Sequence, residues 1–580
     1  LTFDTPRGVD ITTAVGTIAG QSTIAGDIRI DEDDDITVGT GWNSISGLTT
    51  TGSDITLITV DGDITVNANI VAGNAGQILL VAGDTTNLSD GISRMIQNNA
   101  NIYNNTDIAG AGNNITLQAQ AIDLTAGSTI NAGTDGVVYL IPFKSGTFID
   151  LGGLDVADNA GNPDTLGITS AELDTITTGN GVVIGDTNTG TITLTANVGP
   201  NSGFDNLALI TGANITDDGS APKLSANGNI TLDSGTGITG SSGFTFNAFE
   251  IDATTLAART RTSGDIDIAD ATGVSVSSAI NASSAFDGVL TAAGSNGNIT
   301  LEVGSGTLSI DKPVSADGSG NVILLSDISG VAGNIVVNDV VSSGSGAIFG
   351  LAGGNINIHN NITTGGAGTI TLMTNALDIT QDNGTISTTG TGGIDIWAGQ
   401  DFIQTSPAVI TSGDYVTISA GRDITIDPIT AASFIDLRAD DDITITGNLT
   451  ANTSHIYIRA DNNADNIGNV TFDGTSSPIT ITASDNTNGV ILVIGENIYS
   501  FANNASDVTI TANGVTTSGT GDGSLPGYDF SVAFLASENI GSATNPVLLT
   551  VNALNGNFVD IADQDLRFDG QAMGFSHSVL

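Results

Sequence analysis

The chain has 580 residues, with 76 Gly, no Cys, 39% hydrophobic residues and only 13% charged ones. Lys plus Arg number 12 against 62 Asp plus Glu, a net charge of −50. That balance excludes nucleic acid and anionic lipid as partners, the missing Cys excludes disulfide scaffolds and thiolate zinc sites, and no apolar run is long enough to cross a membrane.

Only six of the acids are Glu, and Asp and Gly favour turns over helices, so the composition opposes a helical protein. In chain order, residues 1–20 carry no amphipathic cap and no leader segment, and the first residue is Leu1, which predicts a processed chain or a piece of a longer one. Asp31-Glu32-Asp33-Asp34-Asp35 reads as a solvated turn, with Asp33, Asp34 and Asp35 as candidate ligands of a low-affinity Ca2+ site. The phrase Gly/Asn/Asp-Ile-Thr-apolar stands at 54–57, 63–66, 114–117, 229–232 and 298–301, a short strand entered through a turn residue. Residues 91–106, centred on Ser93 to Asn105, read as a loop insertion. Thr169-Ser170-Ala171-Glu172 has the spacing of a capping box, with Ile168 placed to pack on Leu173, and predicts a short helical excursion over 169–176 that starts at Ser170.

Over 350–545 the pattern is most regular. Apolar-x-apolar-x-Ala recurs as Ile394-Asp395-Ile396-Trp397-Ala398, then ending at Ala420, Ala439, Ala460 and Ala483, with steps of 22, 19, 21 and 23 residues. The series extends back through Thr374 and Ala352, and forward to Ala512 and Ala536. Alternation is the strand period, and a second strand follows in the same repeat at Asp423-Ile424-Thr425-Ile426 and Asp442-Ile443-Thr444-Ile445. A repeat this short cannot bury its own apolar face and must stack on its neighbours. The reading is an all-β, right-handed parallel β-helix (β-solenoid) of about 20–23 residues per coil, continuous over 1–580. At about 4.8 Å per coil, roughly 22–26 coils give a rod on the order of 105–125 Å. The Ala residues form a core ladder where the wall narrows. A leucine-rich repeat lacks its Leu consensus here, and a β-sandwich array gives no reason for the Ala spacing.

Phe148-Ile149-Asp150-Leu151-Gly152-Gly153, the stretch Asp164 to Thr177, Val183-Ile184-Gly185-Asp186 and the segment Glu538 to Thr550 resemble phrases of the filamentous-haemagglutinin-type bacterial exoproteins. The Ile-x-Leu-x-Ala-Gly coil consensus is similar to theirs over about two thirds of the chain. The resemblance implies a right-handed β-helical shaft, secreted and held at the bacterial cell surface. The N-terminal secretion domain of that family is not found in these residues.

Candidate chemistry is sparse. His359, His455 and His577 lie far apart, and no Ser/His/Asp group is clustered, so nucleophilic and zinc hydrolysis lack support. One column stands out: Arg438 and Arg459 precede the motif Ala in adjacent coils, Asp440 and Asp461 follow it, Asp441 and Asp442 stack below Asn462 and Asn463, and Arg422 lies one coil earlier. Its plain reading is charge compensation between stacked columns. Asp440, Asp441, Asp442 and Asp461 are also Ca2+ candidates, since oxygen-only ligands suit that ion, but no cofactor is required. Trp42 and Trp397 are the only tryptophans, and aromatics reach only 4%, too few for a ring-lined groove of a β-helix polysaccharide lyase or hydrolase. The high negative charge predicts rods that repel sideways.

The expected protein is thus a non-enzymatic extracellular rod, a shaft segment or head-to-tail filament subunit on a bacterial surface; the alternative is a carbohydrate-acting β-helix enzyme. The segment 568–580 is no cap either. Expected partners are a continuing solenoid or copies of itself at both ends, with host or cell-surface glycans or proteins, and neither nucleic acid nor membrane.

Overall fold

The computed structural model describes residues 1–73, 76–83, 93–104, 113–155, 165–241, 247–328, 330, 332–463, 468–486, 488–501, 508–512, 532–540, 550–553 and 558–562. His577, segment 568–580 and most of the phrase Glu538 to Thr550 lie outside these residues. Among the described residues the helical elements are one α-helical turn, Ser170–Leu173, and one 3-10 turn, Trp42–Ser44. The remaining elements are short strands paired in parallel, and the fold is a β-solenoid. No helix among the described residues is long and apolar enough to cross a membrane. The chain divides into two compact units, Leu1–Glu302 and Val303–Leu580.

In the second unit three strands make one coil. Ile370–Thr374, Ile379–Gln381 and Thr385–Thr388 are followed by Ile394–Ala398, Phe402–Gln404 and Val409–Ser412. Each strand lies directly under its counterpart: Ile370 pairs with Ile394, Ile379 with Phe402 and Ile386 with Ile410. The first wall runs Ile348, Ile370, Ile394, Val416, Ile435, Ile456, with steps of 22, 24, 22, 19 and 21 residues. Beyond Ile456 the partners are Ile491 and Val532, steps of 35 and 41. The regular run is therefore shorter than the expected 350–545 and ends near Arg459.

The alternation has its usual cause. Ile, Val and Leu at odd wall positions point inward and are fully buried, while Thr, Asp, Ser and Arg between them face out. Stacked Ile on Ile fills a core along each unit, and each buried aliphatic side chain contributes about 1.5–3 kcal/mol of transfer free energy. Ala closes the first wall, where the chain turns: Ala398, Ala420 and Ala439 are in register and buried, and Ala352 and Thr374 pair below them. Ala460 is equally buried, and its N–H donates to the carbonyl of Ile494, so the ladder continues toward Gly495.

Ala483 is not the next rung. It pairs with Ala451 below and Ala512 above, on the third wall. Two walls end in the same small residue, and an insertion after Arg459 gives the third-wall Ala a spacing close to one coil. Ala536 does belong to the first wall, where it pairs with Gly495.

In the first unit the corresponding wall runs Val9, Ile28, Ile55, Ile78, Ile115, Val138, Val182, Leu207, Ile230, Leu256, with steps from 19 to 44 residues. The stretch 91–106 is not simply a loop. Arg94–Gln97 pairs with Ile64–Val66 and Ala121–Leu124, and Asn101–Asn104 pairs with Ile70–Ala72 and Thr129–Asn131. Gln97 and Asn104 occupy inward positions and donate their amide N–H groups to backbone carbonyls, Gln97 to those of Ala100 and Thr129, Asn104 to that of Asn113, while the Gln97 Oε1 and Asn104 Oδ1 are buried with no acceptor bond among the described residues. Polar residues at core positions hid the strand period.

The longest step, Val138 to Val182, contains the predicted helix, and it starts at Ser170. Thr169 accepts the N–H of Glu172, and Glu172 accepts the N–H of Thr169 at 2.8 Å, a reciprocal capping box. The second Glu172 oxygen accepts the N–H of Leu124, which clips the excursion to the wall.

Candidate functional site

At the corner leading into the second wall of the second unit, Asn and Asp form a column in which each side chain reaches one coil onward. Asn334 Oδ1 accepts the N–H of Asn355 (2.8 Å), Asn355 that of Asp378 (3.0 Å), Asp378 that of Asp401 (3.0 Å) and Asp401 that of Asp423 (3.2 Å). Asp423 accepts the N–H of Asp442 (3.0 Å) and Asp442 that of Asn469 (2.8 Å). A corner breaks the strand ladder, and the side-chain oxygen supplies the acceptor that a backbone donor there still needs. Four successive members are carboxylates, spaced by about 4.8 Å. Arg422 offsets their repulsion: its Nε donates to Asp401 at 2.6 Å and its terminal nitrogen binds the other oxygen. Burial pushes the Asp401 carboxyl up, but the hydrogen bonds from Arg422 and the Asp423 N–H, with the guanidinium charge, hold it below the usual carboxylate value.

Several of the Ca2+ candidates have their side chains or backbone engaged in these corners. Asp442 Oδ1 already accepts both the N–H and the Nδ2 of Asn469 (2.8 and 2.9 Å), so its partner one coil on is Asn469 and not Asn463. Asp441 donates its N–H to the Arg422 carbonyl, Asp440 has Asn462 Nδ2 at 3.4 Å, and Asp461 has a φ of +58° where the chain leaves the repeat. Asp33 and Asp34 are exposed turn residues, and Asp35 Oδ1 accepts the N–H of Asp63 (2.8 Å), which starts a similar capping column. Among the described residues no three Asp, Glu or His converge on a point that could hold a metal ion.

The outer face of the first wall gathers different chemistry. One column runs Asp395, Thr417, Asp436, Tyr457 and the next Trp397, Ser419, Arg438, Arg459. Arg438 grips Asp436 with two hydrogen bonds (2.9 and 2.6 Å) and lies 5.6 Å from the centroid of Tyr457. Trp397 is 47% exposed. Along the adjoining corner Tyr415, Phe434 and His455 stack, with centroids 5.2 Å apart at each step and planes within 9°. Sequence reading missed this stack, although each ring stands one residue before its wall strand. Tyr415 donates its hydroxyl to Asp395 (2.9 Å); burial and that anionic partner push the phenol up to about 12. Burial also raises Asp395, against the hydrogen bond from Tyr415. His359 lies elsewhere, paired with Asp382 at 2.7 Å on the surface.

No family model matches the chain, and no curated protein or solved structure matches it.

The first unit holds two further features. Asp155 accepts the N–H of Gly167 (2.8 Å) in the excursion beside Asp123, Glu172 and Arg94. Burial first, then the Asp123 and Glu172 carboxylates, push it up to about 7, against the Gly167 hydrogen bond and Arg94. An open cleft of about 360 Å³ is lined by small residues, among them Ser225, Asn227, Asp252, Thr254 and Thr272. Lys223 binds Asp252 there at 2.9 Å.

Proposed function

We propose that this chain is a non-enzymatic structural and adhesive solenoid, a shaft or filament segment displayed outside a bacterial cell. The observation that carries this reading is the use of the acidic side chains: Asp378, Asp401, Asp423 and Asp442 are each committed to the backbone of the next coil. A stack held by such a column and by a continuous aliphatic core resists bending and extension, which suits projection from a surface. The likeness to filamentous-haemagglutinin-type exoproteins and the Cys-free, acidic composition support the same setting. Antibody raised against the chain should label intact producing cells or their medium. Labelling confined to lysed cells overturns the proposal.

One observation favours the alternative, a carbohydrate-acting enzyme. Asp155, with its raised proton affinity, stands beside Asp123 and Glu172, an arrangement of unlike carboxyls that acid–base chemistry uses. Incubation with neutral and acidic polysaccharides tests it: reducing ends or unsaturated products that vanish in Asp155→Asn establish the enzyme.

A further inference from the structure

In the first unit a hairpin leaves the wall and turns back over coils wound before it. Residues 277–288 stand between Val274–Val276 and Val289–Leu290, two short strands that both pair with Thr255–Thr260. Ala279 donates its N–H to the Phe286 carbonyl (3.0 Å) and Gly288 to that of Ser277 (2.9 Å), which closes the hairpin. Its outside contacts run backwards along the chain. Ser283 gives its N–H (3.0 Å) and its hydroxyl to Asp233, and Ile280 gives its N–H to the Thr231 hydroxyl (2.9 Å), both on the coil of Ile230. Asn281 donates to the carbonyl of Asn180 (2.8 Å), at the entry to the coil of Val182. The outward column Ala208, Thr231, Ala257 is buried where the hairpin crosses it.

A charged knot fastens this hairpin. The Asp233 side chain has no exposed surface, and Arg259 grips it with two hydrogen bonds of 2.9 Å each. Arg259 also donates to the hydroxyls of Ser283 (3.0 Å) and Ser284 (2.9 Å), and it lies 4.5 Å from the centroid of Phe286. Arg261 stands 3.6 Å from the same carboxylate, and its terminal nitrogen reaches back to the carbonyl of Thr211, which follows the Leu207–Ile210 strand. Hairpin and knot together tie four successive coils, those of Val182, Leu207, Ile230 and Leu256.

A solenoid coil ordinarily touches only its two neighbours, so a pulled solenoid can shed its coils singly. Arg261 and the hairpin break that rule, because each joins coils that are not adjacent. Asp233 and Arg259 are also withdrawn from water, and parting a buried ion pair leaves an uncompensated charge. No coil in the group can leave before the knot opens, and once it opens none of them keeps the extra tie.

We propose that hairpin 277–288 is a mechanical clamp that makes the coils from Val182 to Gly288 unwind as one block when the chain is pulled. This adds a load-bearing element to the shaft reading above and rests on it.

Optical-tweezer stretching of the full chain, held at its two ends, tests the clamp. About 107 residues released together should give one extension step of roughly 350 Å, against roughly 70 Å for a single coil. In Asp233→Asn the long step should be replaced by steps of one coil. In the double variant Asn281→Ala/Ser283→Ala, which keeps the Asp233–Arg259 pair, the long step should occur at lower force. Circular dichroism before pulling shows whether each variant has folded. Steps of one coil through this region in the wild type overturn the proposal. So does a long step that Asp233→Asn, or the double variant where Asp233→Asn does not fold, leaves at wild-type length and force. Surface labelling reads where the chain stands and not how it unwinds, so a failed clamp leaves that result in place.

Discussion

Substituting Asp155 by Asn tests the electrostatics of the excursion in the first unit. Asp155 is pushed from 3.8 to about 7, first by burial and then by Asp123 and Glu172. The folded chain therefore holds this proton more tightly than the unfolded chain does. Below about pH 4 the group is protonated in both states and contributes no difference. Between about pH 4 and 7 folding loses stability as pH rises, and above 7 the full penalty applies. A rise of about three pH units corresponds to roughly 4 kcal/mol, an upper figure because water and side-chain relaxation soften it. Asn keeps an oxygen for the Gly167 N–H, now 2.8 Å from Asp155, and carries no charge. The variant should match the wild type near pH 4 and exceed it above pH 7. Hydrogen exchange at the Gly167 amide, corrected for intrinsic rate, reads the local opening, and the ratio of wild type to variant should grow by at least tenfold from pH 5 to pH 8. A ratio that stays constant across that range refutes the reasoning.

The corner column makes a second test. Asp423→Ala removes the acceptor of the Asp442 N–H and should cost about 1 kcal/mol, since Asp423 is 44% exposed and water replaces part of the bond; Asp423→Asn keeps the acceptor and relieves repulsion from Asp401 and Asp442, so exchange at the Asp442 amide should speed up for Ala and not for Asn. Ala439→Leu forces extra volume into a fully buried corner and should destabilise the second unit by about 1–3 kcal/mol. In a Trp42→Phe background the urea midpoint read from Trp397 fluorescence checks this. Tyr415 should stay un-ionised until about pH 12. Burial raises Tyr139 as well, so ultraviolet titration at 295 nm should show a late phenolate component that loses one tyrosine's amplitude in Tyr415→Phe.

Much of the fold was legible because a solenoid repeats its instructions. Ile394, Val416, Ile435 and Ile456 state the inward positions of the first wall, and the Asp-Ile-Thr-Ile phrases state the second. Errors arose where a local rule was ambiguous. Ala483 has the right spacing and the wrong wall, because both walls turn on a small residue. Arg94–Asn104 looked like a loop because Gln97 and Asn104 bond backbone from inside the core. The outer-face site was less legible. Arg438 and Arg459 were seen as a column, but that Asp436 engages only one of them depends on side-chain reach, which spacing does not encode. The Asp442–Asn469 contact crosses an insertion whose length hid the partner.

The corner column also has a direction. From Asn334 to Asn469 every acceptor lies on the earlier coil and every backbone donor on the later one. The backbone answers in the other sense, since Ile356, Ile379, Phe402 and Ile424 each donate an N–H to the carbonyl of the column residue one coil later. Every corner of the column is thus closed by two bonds of opposite sense, and a coil with no successor leaves both halves of that pair unmade.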